Sequence, residues 1–162
     1  MGQESVLPDI DSKATSEAVE SALEKYRIYK YMMFESREAS ITPGYTERFH
    51  GPTNQTSDQT ASIAIYNADQ EEYRSNYCER VERAVKRLPR MERFLIEERY
   101  MTNEYKYLTD QKVYLFTFQP PISAPKYIDI RKSAFLNLAL ILRIVVYKPK
   151  KEGDGPTGDG GK

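Results

Sequence analysis

Cysteine and histidine are almost missing from this chain: Cys78 and His50 are the only ones in 162 residues. A single cysteine excludes an internal disulfide and a Cys-rich zinc site. A single histidine leaves a His-based metal centre or triad almost no material. Long apolar runs are missing too. The longest, Leu138 to Leu142, falls far short of the roughly 18 residues that a membrane-spanning helix needs. The start, Met1-Gly2-Gln3-Glu4-Ser5, is polar, so no signal peptide is expected. The 13 tyrosines supply no catalytic set at recognisable spacing. They read as packing residues with solvent-facing hydroxyls or, alternatively, as base-stacking platforms. The expectation is a soluble, cytosolic-type chain that is not an enzyme, with no metal, nucleotide or cofactor and no membrane partner. At 40% hydrophobic and 30% charged residues it is globular rather than disordered, forming one compact domain or two small ones.

Net charge is zero, with 24 basic and 24 acidic residues, yet the balance is uneven along the chain. Residues 1–78 carry 7 bases and 13 acids, net −6, whereas residues 79–151 carry 16 bases and 8 acids, net +8. Residues 152–162 hold 1 base and 3 acids, net −2. A basic half behind an acidic one suggests a polyanion partner for that half alone, although solvated helix faces produce the same count.

Apolar spacing predicts an all-α chain. Val19, Ala22, Leu23, Tyr26, Tyr29 and Met33 recur every three or four residues, marking an amphipathic helix from about Ser12 to Phe34 in an N-terminal unit of residues 1–34. Asp11, Ser12 and Thr15 are candidate caps, and Glu17 and Glu20 suit the positive end of the helix dipole. Residues 35–66 are rich in turn formers, with Thr42-Pro43-Gly44 and then Gly51-Pro52-Thr53-Asn54, and read as a long, flexible polar linker. His50 falls inside it without a second ligand nearby and reads as a surface loop residue.

A basic helical domain is expected over residues 67–148. Its first helix runs from about Asp69 to Leu88, with Tyr73, Tyr77, Val81, Ala84, Val85 and Leu88 inward. Pro89 then suits the start of the next helix, about Arg90 to Met101, with Met91, Phe94, Leu95 and Tyr100 inward. Many bases here pair with Glu79, Glu82, Glu92, Glu97 and Glu98 at helical spacing. Lys86, Arg87 and Arg90 at the junction are uncompensated, and fit either phosphate contacts or a solvated surface. A short helix follows from Thr109 or Asp110 to about Phe118, carrying Val113, Tyr114 and Phe116. Pro120 and Pro121 end it, and Ser123 is a good cap for the last helix, about Ala124 to Val146. Tyr127, Ile130, Ala134, Phe135, Leu138, Ile141, Leu142 and Val145 form its broad apolar face. Residues 149–162 form a low-complexity tail expected to be disordered.

A short helix, a tight turn and a long helix with a basic start have the layout of a helix-turn-helix. Ile122 in the turn and Tyr127 early in the second helix would pin the pair. The start of the second helix would then offer Lys126 and Lys132 to the DNA groove, while Ile130 and Phe135 face the core. Apolar spacing alone also fits an ordinary helical hairpin.

Four stretches of the chain resemble the ArpU family of phage late-gene transcriptional regulators. They are Leu7-Pro-Asp-Ile-Asp11 with Glu24-Lys-Tyr-Arg27; Pro43-Gly-Tyr-Thr46; Val81-Glu-Arg-Ala-Val-Lys-Arg-Leu-Pro89 followed by Leu95-Ile-Glu-Glu-Arg-Tyr100; and Ile122-Ser-Ala-Pro-Lys-Tyr127 ahead of the apolar run Ala134 to Tyr147. The likeness covers most of residues 7–148. The helix pair from Val81 to Tyr100 and the C-terminal pair are also similar to the promoter-reading domain of sigma factors, with a capping Ser123 and the Ala134-Phe135 step about ten residues on.

The resemblance implies a sequence-specific, double-stranded DNA-binding regulator of phage late genes, working in the bacterial cytoplasm with host RNA polymerase. It implies a DNA-binding set of Ser123, Lys126, Asp129, Arg131 and Lys132, with Lys86, Arg87 and Arg90 as secondary backbone contacts. The acidic N-terminal helix and loop would be free for a protein partner. Two departures stand out. Pro120-Pro121 replaces the family's Leu-Gly type turn, and the side chains of Ala124, Pro125 and Ile128 cannot hydrogen-bond bases, which leaves much of the discrimination to phosphate contacts and DNA shape. The competing reading is an adaptor that binds polymerase or another regulator without touching DNA, using an aromatic patch of Tyr26, Tyr29, Tyr31 and Phe34.

Overall fold

A computed structural model describes residues 9–41 and 57–150. Among these the chain is all-α: α1 (Ser12–Ile41), α2 (Ser57–Lys86), α3 (Arg90–Tyr100), α4 (Asp110–Lys112) and α5 (Ala124–Leu142). A single 3-10 turn, Tyr105–Tyr107, precedes α4, and α4 runs directly into a π-helical turn, Val113–Thr117. No described helix is long and apolar enough to cross a membrane.

The apolar stripes meet in one core. Val19, Leu23 and Tyr26 of α1 pack with Val81, Ala84 and Val85 of α2, Leu95, Ile96 and Tyr100 of α3, and Tyr127, Ala134, Leu138 and Ala139 of α5. Burying each large aliphatic side chain stabilises the fold by roughly 1.5–3 kcal/mol. The helix α1 is therefore part of the bundle, a packing that the sequence leaves open. Tyr77 Oη donates to the Ala22 carbonyl at 2.8 Å, and Tyr26 Oη donates to Glu82 at 2.9 Å, adding polar ties between α1 and α2. Tyr73 and Met91, expected inward, are exposed.

Several boundaries differ from the sequence expectation. Residues 35–41 and 57–66, placed in the polar linker, continue α1 and open α2. Neither stretch contains a glycine or proline to stop a helix. Residues 64–69 of α2 are exposed all round, so no apolar stripe signals that helix. The rest of the linker, residues 42–56 with His50, and the tail from residue 151 lie outside the described residues.

The last helix stops at Leu142, four residues before its expected end. Arg143 takes a left-handed conformation (φ 60°). Its N–H reaches the Leu140 carbonyl at 3.3 Å, and the Ile144 N–H reaches the Ala139 carbonyl at 2.9 Å, the double closure of a Schellman cap. Arg80 Nη2 donates to the Leu142 carbonyl at 2.8 Å, satisfying another orphan acceptor. Beyond the cap the chain extends and pairs with the segment ahead of α1. Asp11 N–H donates to Val146 O at 2.9 Å, Lys148 N–H donates to Asp9 O at 2.8 Å, and Ile10 bridges Tyr147 in antiparallel fashion. Thr15, buried, closes this clasp: its Oγ1 donates to Val146 O at 3.3 Å and accepts from Val146 N–H at 3.1 Å.

Candidate nucleic-acid interface

The start of α5 is held from both sides. Ser123 caps it, its Oγ accepting from the Lys126 N–H at 3.3 Å, and Pro125 sits in the first turn, where a missing N–H costs nothing. Ser123 is exposed, and its hydroxyl proton is free to donate outward.

Tyr127 is 1% exposed and anchors the helix. Its Oη donates to Asp110 Oδ1 at 2.9 Å, and its ring lies 5.6 Å from that of Tyr114 and 6.4 Å from that of Phe118. Burial, reinforced by the Asp110 carboxylate, raises the Tyr127 phenol well above its ordinary value. Arg99 Nε donates to the same Asp110 oxygen at 2.8 Å, so α3, α4 and α5 converge on one carboxylate. Thr109 caps α4, its Oγ1 accepting from the Lys112 N–H at 3.2 Å. In the turn, the Ile122 N–H reaches Tyr114 O at 3.1 Å, and the Phe94 and Phe118 rings meet edge to face at 4.9 Å. Ile122 and Tyr127 thus pin the turn and the helix, as their positions in the sequence suggested.

Outward from this support, Lys126, Ile128, Asp129, Lys132 and Ser133 are all exposed on the first turns of α5. Lys86, Arg87 and Arg90 are exposed at the junction of α2 and α3. Arg90 also lines a groove of about 490 Å³ with Met91, Phe94, Thr117, Phe118 and Gln119. That groove places Arg90 beside the turn that leads into α5. Lys86 and Arg87 lie on the far side of Pro89 and do not line it.

Arg131, expected among the DNA contacts, is half-buried and already engaged by other residues of the bundle. It shares the buried stripe of Tyr127, Ala134, Phe135 and Leu138, at four, three, four and seven residues' separation, and so points inward. Its Nη2 lies 2.8 Å from Glu20 Oε1 of α1, and its guanidinium carbon is 5.0 Å from the Phe135 ring centre and 5.8 Å from that of Tyr100. Arg99 is similarly committed, 5.2 Å from the Tyr100 ring centre and 4.8 Å from that of Tyr105. Arg27 of α1 completes the cluster, 3.7 Å from the Tyr105 ring centre and donating to Tyr100 O at 2.7 Å. Three bases of the chain therefore bind α1, α3 and α5 together through aromatic faces and carboxylates, a use that charge counting cannot separate from phosphate binding. Asp110 and Glu20, which orient these groups, read in the sequence only as helix-start residues, with nothing to mark them as partners of distant arginines.

The patch expected on α1 is also redrawn. Tyr26 is buried and Tyr29 half-buried, whereas Ile28, Tyr31 and Phe34 are exposed at 50%, 64% and 60%. A groove of about 530 Å³ runs beside Ile28 and Tyr31, walled on the other side by Asn103, Tyr105 and Lys106.

No family model matches the chain, and no solved structure matches it. The chain is similar to an uncharacterized phage-related protein of Listeria innocua, 26% identical over 149 residues that span 88% of this chain and 96% of that protein. The likeness extends across nearly the whole of both chains and supports a phage origin for this one.

Proposed function

We propose that this chain is a double-stranded DNA-binding transcriptional regulator of phage genes, acting by binding rather than by catalysis. The observation that carries this reading is the outer face of α5. Lys126 and Lys132 stand exposed there, on a helix whose opposite face is locked by the Ser123 cap, the Tyr127–Asp110 bond and the core. A helix presented in this way, with a turn and a short helix behind it, fits the major groove. Arg90 beside the turn, with Lys86 and Arg87 across Pro89, supplies contacts to the phosphate backbone. Ser123 adds a hydroxyl donor at the helix start. Arg131 is not part of this set. The resemblance of the chain to ArpU regulators extends the proposal to late genes, to work in the bacterial cytoplasm, and to a partnership with host RNA polymerase.

A salt series tests it. Duplex DNA from the late-gene region of the source phage is titrated with full-length protein, against scrambled duplex as competitor. Specific binding that weakens steeply with salt is the expected result. Absence of specific binding, even with polymerase present, overturns it.

One observation favours a second reading. Ile28, Tyr31 and Phe34 expose large apolar side chains on α1, the first two beside a groove, which suits a protein-binding adaptor. The same salt series separates the two, because an adaptor gains polymerase binding without a DNA term.

A further inference from the structure

The outer face of α5 holds a carboxylate where a DNA-binding surface has least tolerance for one. Asp129 lies three residues after Lys126 and three before Lys132. At 3.6 residues per turn, each lysine is about 60° around the helix from it, on opposite sides. Asp129 therefore occupies the middle of the outward arc. It is exposed, and its carboxylate makes no hydrogen bond or ion pair with any described residue. The nearest arginine along the chain, Arg131, is committed to Glu20 of α1.

When the two lysines reach the phosphate strands flanking the groove, Asp129 points at its floor. Phosphates and base-edge acceptors repel a carboxylate, and only an amino group welcomes it. In the major groove, guanine presents N7 and O6 as acceptors, and thymine presents O4 and a methyl group. Adenine presents N6–H₂ beside the N7 acceptor, whereas cytosine presents N4–H₂ as its hydrogen-bonding group. The neighbours Ala124, Pro125 and Ile128 have no side chain able to compete for that contact. Resting on α5 as the reading helix, we propose that Asp129 is a specificity-determining residue that selects cytosine at one position of the bound duplex. It does so by accepting from N4–H₂ and by repelling guanine and thymine.

The test is selection of bound sites from a randomised duplex pool by the full chain, followed by competition binding at one fixed salt concentration with every base placed in turn at each selected position. The wild-type chain is expected to prefer cytosine at one position by roughly ten- to a hundredfold over the other bases. Asp129→Ala is expected to flatten the preference there, leave the other positions unchanged, and bind scrambled duplex more tightly because a repulsive charge is gone. Asp129→Asn is expected to move the preference to adenine, whose N6 and N7 match a carboxamide. Circular dichroism checks that both variants keep their helical content, as an exposed position requires. Retention of the wild-type preference in both variants overturns the proposal and leaves DNA binding standing. Equal binding of all duplexes by the wild-type chain, still weakened by salt, overturns the proposal together with the sequence-specific reading and leaves only non-specific DNA binding. Failure of the wild-type chain to bind any duplex overturns the DNA-binding reading itself, and the proposal with it.

Discussion

Arg131 Nη2 in α5 lies 2.8 Å from Glu20 Oε1 in α1, and that contact turns a basic residue of the last helix into a fastening between the two. The pair is partly exposed, with side chains 34% and 46% accessible, so the ion pair itself contributes about 1 kcal/mol or less. The stem and guanidinium also pack against Phe135 and Tyr100, and each cation–ring contact adds roughly 0.5–1 kcal/mol.

Replacing Arg131 should therefore lower stability without touching the proposed DNA surface. Arg131→Ala is expected to cost about 1–3 kcal/mol in urea unfolding, and Glu20→Ala about 1 kcal/mol or less. Folded Arg131→Ala protein should keep its DNA affinity and the salt dependence of that affinity. A loss of affinity in protein that melts like the wild type would return Arg131 to the interface.

Lys126 and Lys132 carry the opposite expectation. Both are exposed, and neither side chain makes a hydrogen bond or ion pair with a described residue. The double variant Lys126→Ala, Lys132→Ala should unfold at the wild-type urea concentration and keep its helical content. Each phosphate contact contributes about 0.9 to the slope of log affinity against log salt, so the slope should become shallower by about 2. An unchanged slope would remove both lysines from the phosphate contacts.

How much of this was legible beforehand differs from element to element, for physical reasons. Val19, Leu23 and Tyr26, and Val81, Ala84, Val85 and Leu88, could be assigned to the core because one-sided burial leaves a 3.6-residue stripe. Ser123 was legible as a cap because capping chemistry is local. The direction of Arg131 was present in the same spacing that marked Tyr127, Ala134 and Leu138, but its charge suggested the outside. Only the positions of Glu20, Tyr100 and Phe135, distant in sequence, make its burial tolerable. The first turns of α2 carry no stripe because nothing packs on them. The end of α5 was hidden because Ile144, Val145 and Val146 continue an apolar pattern. The segment from Val146 to Lys148 instead pairs with Asp9 to Asp11, more than 130 residues away along the chain.

Stability should fall at both pH extremes through identifiable groups. Burial opposes the ionised form of Glu82, but Lys30 Nζ at 2.6 Å and Tyr26 Oη at 2.9 Å outweigh it and hold the carboxyl below its ordinary value. That stabilisation is fully present above the unfolded-state carboxylate pKa of about 4.3 and is lost as pH falls through the lower folded value. At the other end, burial pushes the Tyr100 phenol up to about 12 and raises Tyr26 and Tyr127 further. These three stay protonated in the folded chain while the unfolded chain ionises near pH 10, so stability declines from about pH 10 upward. Urea midpoints measured across pH should show both flanks, and Glu82→Gln should flatten the acidic one alone. Tyrosinate absorbance that rises for all 13 tyrosines together below pH 10, with helical structure intact, would contradict the alkaline half.

The Arg143 cap offers a test in the stabilising direction. A left-handed conformation costs a residue with a Cβ roughly 1–2 kcal/mol, whereas glycine adopts it without that penalty. Arg143 is exposed and takes φ 60° at the end of α5, where the Schellman hydrogen bonds use only its backbone. Arg143→Gly removes the conformational penalty, while the greater freedom of glycine in the unfolded chain takes back about 0.5–1 kcal/mol. The net expectation is a gain of about 0.5–1 kcal/mol in urea unfolding with the denaturant slope unchanged. Arg143→Ala keeps the Cβ and should show no such gain. If Arg143→Gly is instead less stable than the wild type, the side chain itself holds the clasp between Val146 and Asp11, and the cap is not a strained one.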